Sequence, residues 1–402
     1  MGTYVPLGPF HPAFKEPISI KIKTEGELIV DAEIEIGYNH RGIEKLLEKR
    51  IWINVPFIAE HICGICSGIH QMTAIMGIER IYDLEDKIPE RAKFIRILTL
   101  ELERIHSHLL WVGVAAHEAG FDTIFMYTWR DREKSLDLLE KLGGRRVVYS
   151  VGKVGGVRRD IDDKYRNELR EAAKFFRKRA EEYKRMFSED PTLLARFKNV
   201  SILPYDVALD LGTVGPTARA SGVMKDVRYE DRYWGYGDEI NFRIVTYKEC
   251  DALAKVLIRL DEVIVSADIL EYIADNIPPG PIDVKVPPLK PPAEGEAVAR
   301  GEAPRGELFY YYKSNGKINP YRVKVRTPTL ANILSVAYMA KGEYIADVPV
   351  TFASIDPCIA CMDRTLIIDD GKKTRRMRWG ELLHYSRKWF KRNLQRLKEE
   401  RL

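Results

Sequence analysis

The chain has 402 residues, of which 45% are hydrophobic, a composition typical of an ordinary globular protein rather than a disordered one. Its net charge of +5 is unevenly spread, because residues 365–402 carry twelve Lys and Arg against five Asp and Glu, a local +7 that leaves about −2 elsewhere. Residues 1–364 therefore offer no basic surface for nucleic acid. Their longest apolar runs, 109–116 and 256–269, are shorter than the ~20 residues that cross a bilayer. The basic tail suits an acidic partner, anionic lipid or plain solvent.

The first predicted elements are strands followed by long helices. Residues 18–23 and 28–36 alternate apolar and polar side chains around Glu25-Gly26-Glu27, which predicts a hairpin in a small N-terminal sheet. From Pro89 to Ala116, an acidic first turn and apolar residues at helical spacing predict a long helix. Residues 162–188 and 248–276 predict two more, and together these helices should form a central bundle.

The chain changes character after the third long helix. Residues 277–292 are Pro-rich and predict an extended connector, and Asn315-Gly316 within 308–325 predicts a second hairpin before a helix that starts near 327. The predicted fold class is α+β, mainly α, with small sheets near both ends of a long-helix bundle. Four segments are expected: a β-rich part (1–50), the bundle (51–276), the connector with its hairpin (277–364) and the basic tail (365–402).

Four of the five cysteines form two Cys-x-x-Cys pairs near opposite ends of the chain, Cys63 with Cys66 and Cys358 with Cys361. Cysteines three residues apart can point at one ion, and thiolates favour zinc, copper(I), iron–sulfur or nickel, so the two pairs predict a shared four-sulfur site. A structural zinc usually joins pairs a few tens of residues apart, and disulfides are not needed by a chain of this size without a signal peptide, but both remain alternatives. Cys250 lies in an apolar helical stretch and is predicted to be a small buried hydrophobe.

An ordered set of motifs runs along most of the chain. It comprises Gly8-Pro-Phe-His-Pro12, Gly37-Tyr-Asn-His-Arg-Gly-Ile-Glu44, the first cysteine pair, Glu101-Leu-Glu-Arg-Ile-His-Ser-His-Leu109, Gly155-Gly-Val-Arg-Arg-Asp160, Gly215-Pro-Thr-Ala-Arg219, Glu302-Ala-Pro-Arg-Gly-Glu307 and the second cysteine pair. Together these motifs resemble the large, catalytic subunit of the membrane-bound, energy-converting nickel–iron hydrogenases. That family shares ancestry with the quinone-site (49 kDa) subunit of respiratory complex I, and the resemblance implies the same fold.

The resemblance implies a nickel–iron centre. All four paired cysteines would hold nickel, Cys63 and Cys358 as terminal ligands, while Cys66 and Cys361 would also bridge to an iron that carries small diatomic ligands.

The resemblance also implies roles for residues around that centre. Glu16 occupies the place of the family's proton-relay glutamate, and Arg305 that of the arginine suspended over the metals, where a guanidinium can polarise a bound ligand without giving up its proton. Four further residues are expected close to the metal ligands: Glu44, Asp356, His61 and His70.

The implied partners follow from the cysteine count and from the family. One spare cysteine cannot hold a [4Fe-4S] cluster, so such clusters are expected only in a small partner subunit. By resemblance, ferredoxin donates the electrons, protons are reduced to hydrogen, and attached membrane subunits pump ions. The chain is expected to be a peripheral subunit on the cytoplasmic side of the cell membrane.

Three other functions remain open from the sequence. In hydrogenases a protease removes everything after the second cysteine pair once nickel is loaded, so a retained tail would favour a complex-I relative without nickel, either a sulfane-sulfur reductase or a quinone reductase subunit. A low-pKa thiolate can attack a polysulfide, whereas the family's quinone-holding tyrosine is missing between His70 and Arg80. A non-catalytic scaffold subunit would be expected to lose cysteine ligands, and all four are present.

Overall fold

A computed structural model describes residues 2–369, 374–377 and 379–399. Parts of the predicted tail segment, residues 370–373, 378 and 400–402, lie outside the described residues. Within the described ranges the fold is mainly helical with small sheets, which confirms the predicted class.

The strands and α-helices of the described residues have the following bounds. The strands are β1 (Thr3–Leu7), β2 (Ser19–Glu25), β3 (Leu28–Glu35), β4 (Gly152–Lys153), β5 (Gly156–Val157), β6 (Gly295–Ala303), β7 (Gly306–Ser314), β8 (Arg322–Arg326), β9 (Leu366–Asp369) and β10 (Thr374–Met377). The α-helices are α1 (Ile43–Leu47), α2 (Val55–Ala59), α3 (Ser67–Ile81), α4 (Glu90–Glu118), α5 (Asp122–Gly143), α6 (Asp163–Glu189), α7 (Pro191–Phe197), α8 (Tyr205–Asp210), α9 (Gly215–Arg219), α10 (Val227–Asp231), α11 (Ala252–Asn276), α12 (Pro328–Ala340), α13 (Val348–Ser354), α14 (Ile359–Met362) and α15 (Trp379–Glu399).

The N-terminal sheet has the antiparallel order β1-β2-β3. Its predicted hairpin is confirmed, with Ile20 opposite Ile34 and Ile22 opposite Ala32. Because side chains alternate along a strand, the buried isoleucines of β2 share one face, which packs in a small core with α12 and α13. This core places the N-terminal segment beside the second cysteine pair.

The long helices α4, α5, α6 and α11 pack together as the predicted bundle. Asp162 caps α6 through the Tyr165 amide, and Asp251 caps α11 through the Ala254 amide at 2.8 Å. The cap at Asp251 corrects the prediction for Cys250, which lies before the helix, is only half-buried and has a positive φ of 64°. An Asp side chain that accepts from the third amide of a helix starts that helix after itself, so Cys250 belongs to the preceding loop.

Buried charges cross-link the bundle to the C-terminal sheet. The Arg219 guanidinium lies 2.8 Å from both the Glu262 carboxylate on α11 and the Glu302 carboxylate on β6. Arg104 on α4 donates to the Glu302 carbonyl at 2.7 Å. Since a buried charge is costly unless it is paired, these contacts fix the end of β6 against the bundle, three residues before Arg305.

The C-terminal sheet has the order β6-β7-β8. The β7–β8 hairpin around Asn315-Gly316 is confirmed, and residues 277–292 contain no helix and no named strand, as expected of a connector. The tail forms the antiparallel pair β9–β10, followed by α15. None of the helices in the described part of the chain combines the length and the apolar character that a bilayer crossing requires.

Candidate metal centre

The two cysteine pairs meet in the core. The Cys63 and Cys358 sulfurs lie 3.7 Å apart, the Cys358 and Cys361 sulfurs 2.7 Å apart, and those of Cys63, Cys66 and Cys361 all lie within 4.8 Å of one another. All four are buried free cysteines. Residues almost three hundred positions apart therefore present four sulfurs to one point.

Each pair spans the start of a helix, which explains how both of its sulfurs turn the same way. Cys66 is the N-cap of α3 and Cys358 is the N-cap of α14. In the first pair the amides of Ile65 and Cys66 point at the Cys63 sulfur, at 3.3 and 3.2 Å. Two backbone N–H groups aimed at one sulfur favour its charged form, so this geometry suits a thiolate at Cys63.

The four thiols cannot all ionise without a cation. Hydrogen bonds from Cys358, Cys361 and Cys66 hold the pKa of Cys63 well below its usual value, whereas burial raises the pKa of Cys361 well above it. The cluster thus concentrates its negative charge on one thiolate. A soft metal cation would stabilise the other three as thiolates, so the donor set fits a thiolate-bound metal.

Arg41 joins the backbones of the two cysteine pairs. Its Nη2 donates to the Ile62 carbonyl at 2.7 Å, just before the first pair, and to the Ala360 carbonyl at 2.9 Å, inside the second. Its Nη1 donates to the His61 carbonyl at 3.1 Å. One planar guanidinium therefore sets the spacing between the two pairs.

We expect Arg41→Lys to weaken metal retention roughly 10- to 100-fold, because one ammonium cannot replace a fork that spans three carbonyls. The measurement is the metal content of the purified protein after dialysis against a chelator. Arg80→Lys is the matched control, since Arg80 also bonds a carbonyl and a carboxylate, those of Val298 and Glu85, but away from the cysteines. Equal metal retention in both variants would contradict the role given to Arg41.

Glu16 lies against the second cysteine pair. Its Oε2 accepts the Ile359 amide at 2.6 Å and its Oε1 accepts the Ala360 amide at 3.0 Å, which are the first two amides of α14. The Asn39 side chain also donates to Oε1, at 3.2 Å. Burial raises the pKa of Glu16, and the two backbone hydrogen bonds oppose that rise. The carboxyl group is therefore held within the turn that carries Cys358 and Cys361.

Arg305 and Asp356 form a buried ion pair beside the cysteines. The Arg305 Nη2 lies 2.8 Å from the Asp356 Oδ1, and its Nε donates to the Asp356 carbonyl at 2.8 Å. The Arg305 Nη1 and the Asp356 Oδ2 have no hydrogen-bond partner among the described residues. A ligand or a water molecule in this site would supply hydrogen-bond partners for these two buried polar atoms.

The turn that carries Arg305 is held by glycine on both sides. Gly306 has a φ of 123°, and a Cβ at this position would lie 2.6 Å from the Gly215 amide nitrogen. A Cβ on Gly215 would in turn lie 2.5 Å from the Arg305 carbonyl oxygen. The close approach of two backbones thus fixes the direction of the Arg305 side chain.

Gly306→Ala is expected to destabilise the protein by more than the ~1–2 kcal/mol that positive φ alone costs a residue with a Cβ, because the backbone of Gly215 would also have to move. Gly26→Ala supplies the control: Gly26 has a φ of 62°, but its added Cβ would meet no atom within 4 Å. Thermal unfolding of both variants measures the difference. Equal losses of stability would mean that the contact with Gly215 does not hold the turn.

Two cavities reach the cysteines, and they differ in character. The first, of about 170 Å³, is closed by Glu16, Arg305, Asp356 and Cys358 together with these mainly apolar side chains: Leu110, Trp111, Val114 and Phe352. The second, of about 470 Å³, shares no lining residue with the first and reaches Cys361. Its charged lining consists of five basic side chains, Arg41, Lys45, Arg322, Lys324 and Arg364, and three acidic ones, Glu44, Glu48 and Asp363. A neutral small molecule suits the first cavity and an anion the second.

The other predicted residues have partners away from the sulfurs. Glu44 accepts the Val325 amide and pairs with Lys324, both at 3.0 Å. The exposed His61 ring bonds to the Phe57 carbonyl at 2.7 Å. The buried His70 ring bonds to the Tyr310 hydroxyl at 2.8 Å, and burial lowers its pKa to about 4. The structure therefore brings Glu16, Arg305 and Asp356 to the cysteines, while roles for Glu44, His61 and His70 there stay predictions.

Glu103 is a buried acid that the sequence analysis did not single out. It accepts the Gly68 and Ile69 amides at 2.5 and 3.0 Å, in the first turn of α3, and the Tyr149 hydroxyl donates to it. Burial raises its pKa to about 8. Glu103 thus caps α3 behind the first cysteine pair, as Glu16 caps α14 behind the second. The available signal was the position of Glu103 inside the motif Glu101-Leu-Glu-Arg-Ile-His-Ser-His-Leu109.

Comparison with protein families gives two matches. Residues 118–294 and 289–364 match the family described as respiratory-chain NADH dehydrogenase, 49 Kd subunit, and residues 41–116 match nickel-dependent hydrogenase. Both cysteine pairs fall inside these matched ranges.

Similar individual proteins are named as hydrogenases or as parts of other membrane-bound complexes. The membrane-bound hydrogenase subunit alpha of Pyrococcus furiosus is 38% identical over 92% of this chain and 89% of its own length. The carbon monoxide-induced hydrogenase of Rhodospirillum rubrum is 35% identical over 90% of this chain and 100% of its own. Among solved structures, a chain of the archaeal membrane-bound sulfane sulfur reductase superposes with a TM-score of 0.85 at 33% identity, covering 90% of this chain and 98% of that one.

Proposed function

The chain belongs to the family that joins the large subunits of membrane-bound hydrogenases to the 49 kDa subunit of respiratory-chain NADH dehydrogenase. From this premise we propose that it reduces protons to hydrogen at a nickel–iron centre held by Cys63, Cys66, Cys358 and Cys361. The observation that carries the proposal is the convergence of these four buried sulfurs. Electrons would come from ferredoxin through a partner subunit with iron–sulfur clusters, within a membrane complex that pumps ions.

The residues around the sulfurs fit such a centre. In the proposed assignment Cys63 and Cys358 would hold nickel, and Cys66 and Cys361 would help to hold both nickel and iron. The four cysteine sulfurs form a donor set that soft metals prefer over magnesium or calcium, and the Arg305 guanidinium, which stays protonated, can only donate hydrogen bonds there. When bound, the metals would supply the site at which two electrons and two protons combine.

Glu16 is proposed to hold the proton nearest the centre. Its carboxyl group faces the same cavity as Cys358, and burial raises its pKa, so a larger share of Glu16 is protonated near neutral pH than of an exposed glutamate. A positioned acid within reach of the reacting atoms is what proton transfer requires. The half-exposed Lys15 and its partner Glu118, 2.9 Å apart, line the same cavity and form its polar wall toward solvent.

Arg305 is proposed to polarise a small ligand in that cavity. Asp356 holds one edge of the guanidinium, and Nη1 is left as a donor without a partner among the described residues. A guanidinium stays protonated throughout, so Arg305 can orient and polarise a ligand but cannot serve as the acid. The apolar side chains of Leu110, Val114 and Phe352 line the same cavity, and Glu16 itself is partly buried.

Sulfane-sulfur reduction is the second candidate, because the superposed structure belongs to a membrane-bound sulfane sulfur reductase. The lowered pKa of Cys63 supports it, since a thiolate can attack a polysulfide S–S bond, and the basic cavity at Cys361 suits a polysulfide anion. A single assay separates the two reactions. The purified complex is given reduced ferredoxin with and without polysulfide, and hydrogen and sulfide are both measured. Hydrogen without added polysulfide supports the proposed function, and sulfide as the sole product supports the second candidate.

A further inference from the structure

Helix α12 carries its polar side chains on the inside and apolar side chains on the outside. Its thirteen residues include no Asp, Glu, Lys or Arg. Three polar side chains point inward and are at most 1% exposed: Thr329, Asn332 and Ser335. The outward side chains are all apolar and, at about 100° per residue, fall within about 120° of the helix circumference: Leu330, Ala331, Leu334, Ala337 and Tyr338. A helix at a protein surface normally shows the opposite pattern, so this face is expected to be covered in use.

The inner face of α12 contacts the candidate metal centre. The Thr329 hydroxyl accepts the Cys358 amide at 3.1 Å. The Asn332 side chain accepts the Val214 amide at 2.8 Å and donates to the Val214 carbonyl at 3.2 Å. The residue after Val214 is the glycine that packs against the turn carrying Arg305. A molecule bound to the outer face of α12 would therefore lie one helix away from the cysteines.

The apolar outer face continues onto the neighbouring helix α8. A groove of about 370 Å³ separates Ile202, in the loop before α8, from Tyr338 near the end of α12. Tyr205 and Leu209 lie one helical turn apart on α8 and are 53% and 51% exposed, and Leu334 is 60% exposed. The α8–α12 face is defined by these exposed apolar residues: Ile202, Tyr205, Leu209, Leu334 and Tyr338. An exposed apolar group of this kind marks a site that contacts another protein or a membrane.

The charges beside the α8–α12 face separate these two possibilities. Residues 199–218, which include α8, contain Asp206 and Asp210 but no Lys or Arg. Both acids are exposed, and neither has an ion-pair partner within the described ranges. An amphipathic helix that lies on anionic lipid carries Lys and Arg beside its apolar face, whereas the centre of a protein interface is poor in charge and rich in aromatic residues such as Tyr. The face therefore suits a protein partner, and its two acids suit Lys or Arg at that partner's edge.

We propose that the α8–α12 face binds another protein subunit of the same complex, one that presents apolar side chains edged by Lys or Arg. Relatives of the chain are named as a subunit of a membrane-bound hydrogenase and as part of an archaeal respiratory membrane complex. The proposal rests on the proposed function only in placing the chain in such a complex, and it holds for either candidate reaction. Both helices end before the second cysteine pair, so the face stays in the chain whether or not residues 365–402 are removed.

Photo-cross-linking in the assembled complex tests the proposal. Tyr338→p-benzoylphenylalanine places a photoreactive group in the face, and mass spectrometry identifies the peptide that it captures. The expected product joins this chain to a second subunit of the purified complex. Tyr272→p-benzoylphenylalanine is the matched control, because Tyr272 on α11 is 38% exposed against 42% for Tyr338 but lies outside the face. The control should not capture the same peptide.

Two charge variants test the chemistry of the partner. In the chain that carries Tyr338→p-benzoylphenylalanine, Asp206→Lys/Asp210→Lys should lower the cross-link yield roughly tenfold, because it sets Lys against the partner's basic edge. High salt should restore part of the yield by screening that repulsion. Glu181→Lys/Glu189→Lys makes the same change at two exposed acids of α6 and should leave the yield unchanged.

The cross-linked product is identified by its mass, so the outcome does not depend on which reaction occurs at the cysteines. A product confined to this chain, to a second copy of it or to lipid would overturn the proposal, and so would the absence of any product. Equal yields from the Asp206→Lys/Asp210→Lys and Glu181→Lys/Glu189→Lys variants would contradict the basic edge of the partner. Unchanged thermal unfolding and metal content of every variant exclude loss of the fold.

Discussion

Cys361→Ser is expected to remove nickel and abolish hydrogen evolution together. Cys361 lies at the centre of the sulfur cluster, within 4.8 Å of the Cys63 and Cys66 sulfurs and 2.7 Å from that of Cys358. In the proposed assignment its sulfur would help to hold both metals, and a serine hydroxyl is a harder ligand that does not ionise near neutral pH. The measurement pairs nickel content with the rate of hydrogen evolution from reduced ferredoxin.

Cys250→Ser is the control for this experiment. Cys250 is a free cysteine too, but it lies half-buried in the loop before α11, and its sulfur donates to the Lys248 carbonyl. This variant should keep both nickel and activity. If Cys361→Ser also kept them, the assignment of Cys361 as a metal ligand would be wrong.

Glu16→Gln is expected to leave the metals bound while slowing hydrogen–deuterium exchange by about 10²- to 10⁴-fold, the usual contribution of a positioned acid. The glutamine amide oxygen can still accept an α14 amide, from Ile359 or Ala360, so the turn that carries Cys358 should persist. An amide, however, cannot release and regain a proton. Exchange rate and metal content measured on one preparation separate the two effects.

The pH dependence gives Glu16→Gln a second readout. Burial raises the pKa of Glu16, so hydrogen evolution by the unchanged protein should fall as pH rises through that raised value and the acid becomes deprotonated. The variant should lose this limb of the profile. Glu118→Gln is the control, because Glu118 lines the same cavity but pairs with Lys15. If Glu118→Gln slowed the exchange as much as Glu16→Gln does, the specific role of Glu16 in proton transfer would be contradicted.

Local sequence patterns predicted much of the fold. Strand alternation, the Asn315-Gly316 turn and the spacing of apolar residues each act over a few neighbours, so the hairpins and the long helices α4, α6 and α11 were accessible without tertiary information. Helix α5 and strand β6 were not predicted. The start of α11 was predicted too early, because the side-chain cap at Asp251 makes the helix begin after that residue. Cys250 therefore lies in the preceding loop.

The site was predictable in composition but not in its supporting contacts. The two Cys-x-x-Cys spacings and the family motifs singled out the four cysteines, Glu16 and Arg305, which the structure brings together. Arg41 and Glu103 act through backbone groups that lie far away in sequence or on another helix, so their roles depend on tertiary packing. The mutual contact of Gly215 and Gly306 is of the same kind.

Several expectations remain predictions. The division into four segments, the places of Glu44, His61 and His70 near the metals, and the removal of residues 365–402 are of this kind. The intact mass of the chain in the assembled complex would decide whether α15 stays attached after metal insertion.

The central claim is that the four converging sulfurs hold one nickel–iron centre, and the nickel and iron content of the purified complex tests it most directly. The account predicts one nickel for each copy of this chain, lost on Cys361→Ser and kept on Cys250→Ser. A complex that contains the chain but no nickel, or zinc in its place, would contradict it.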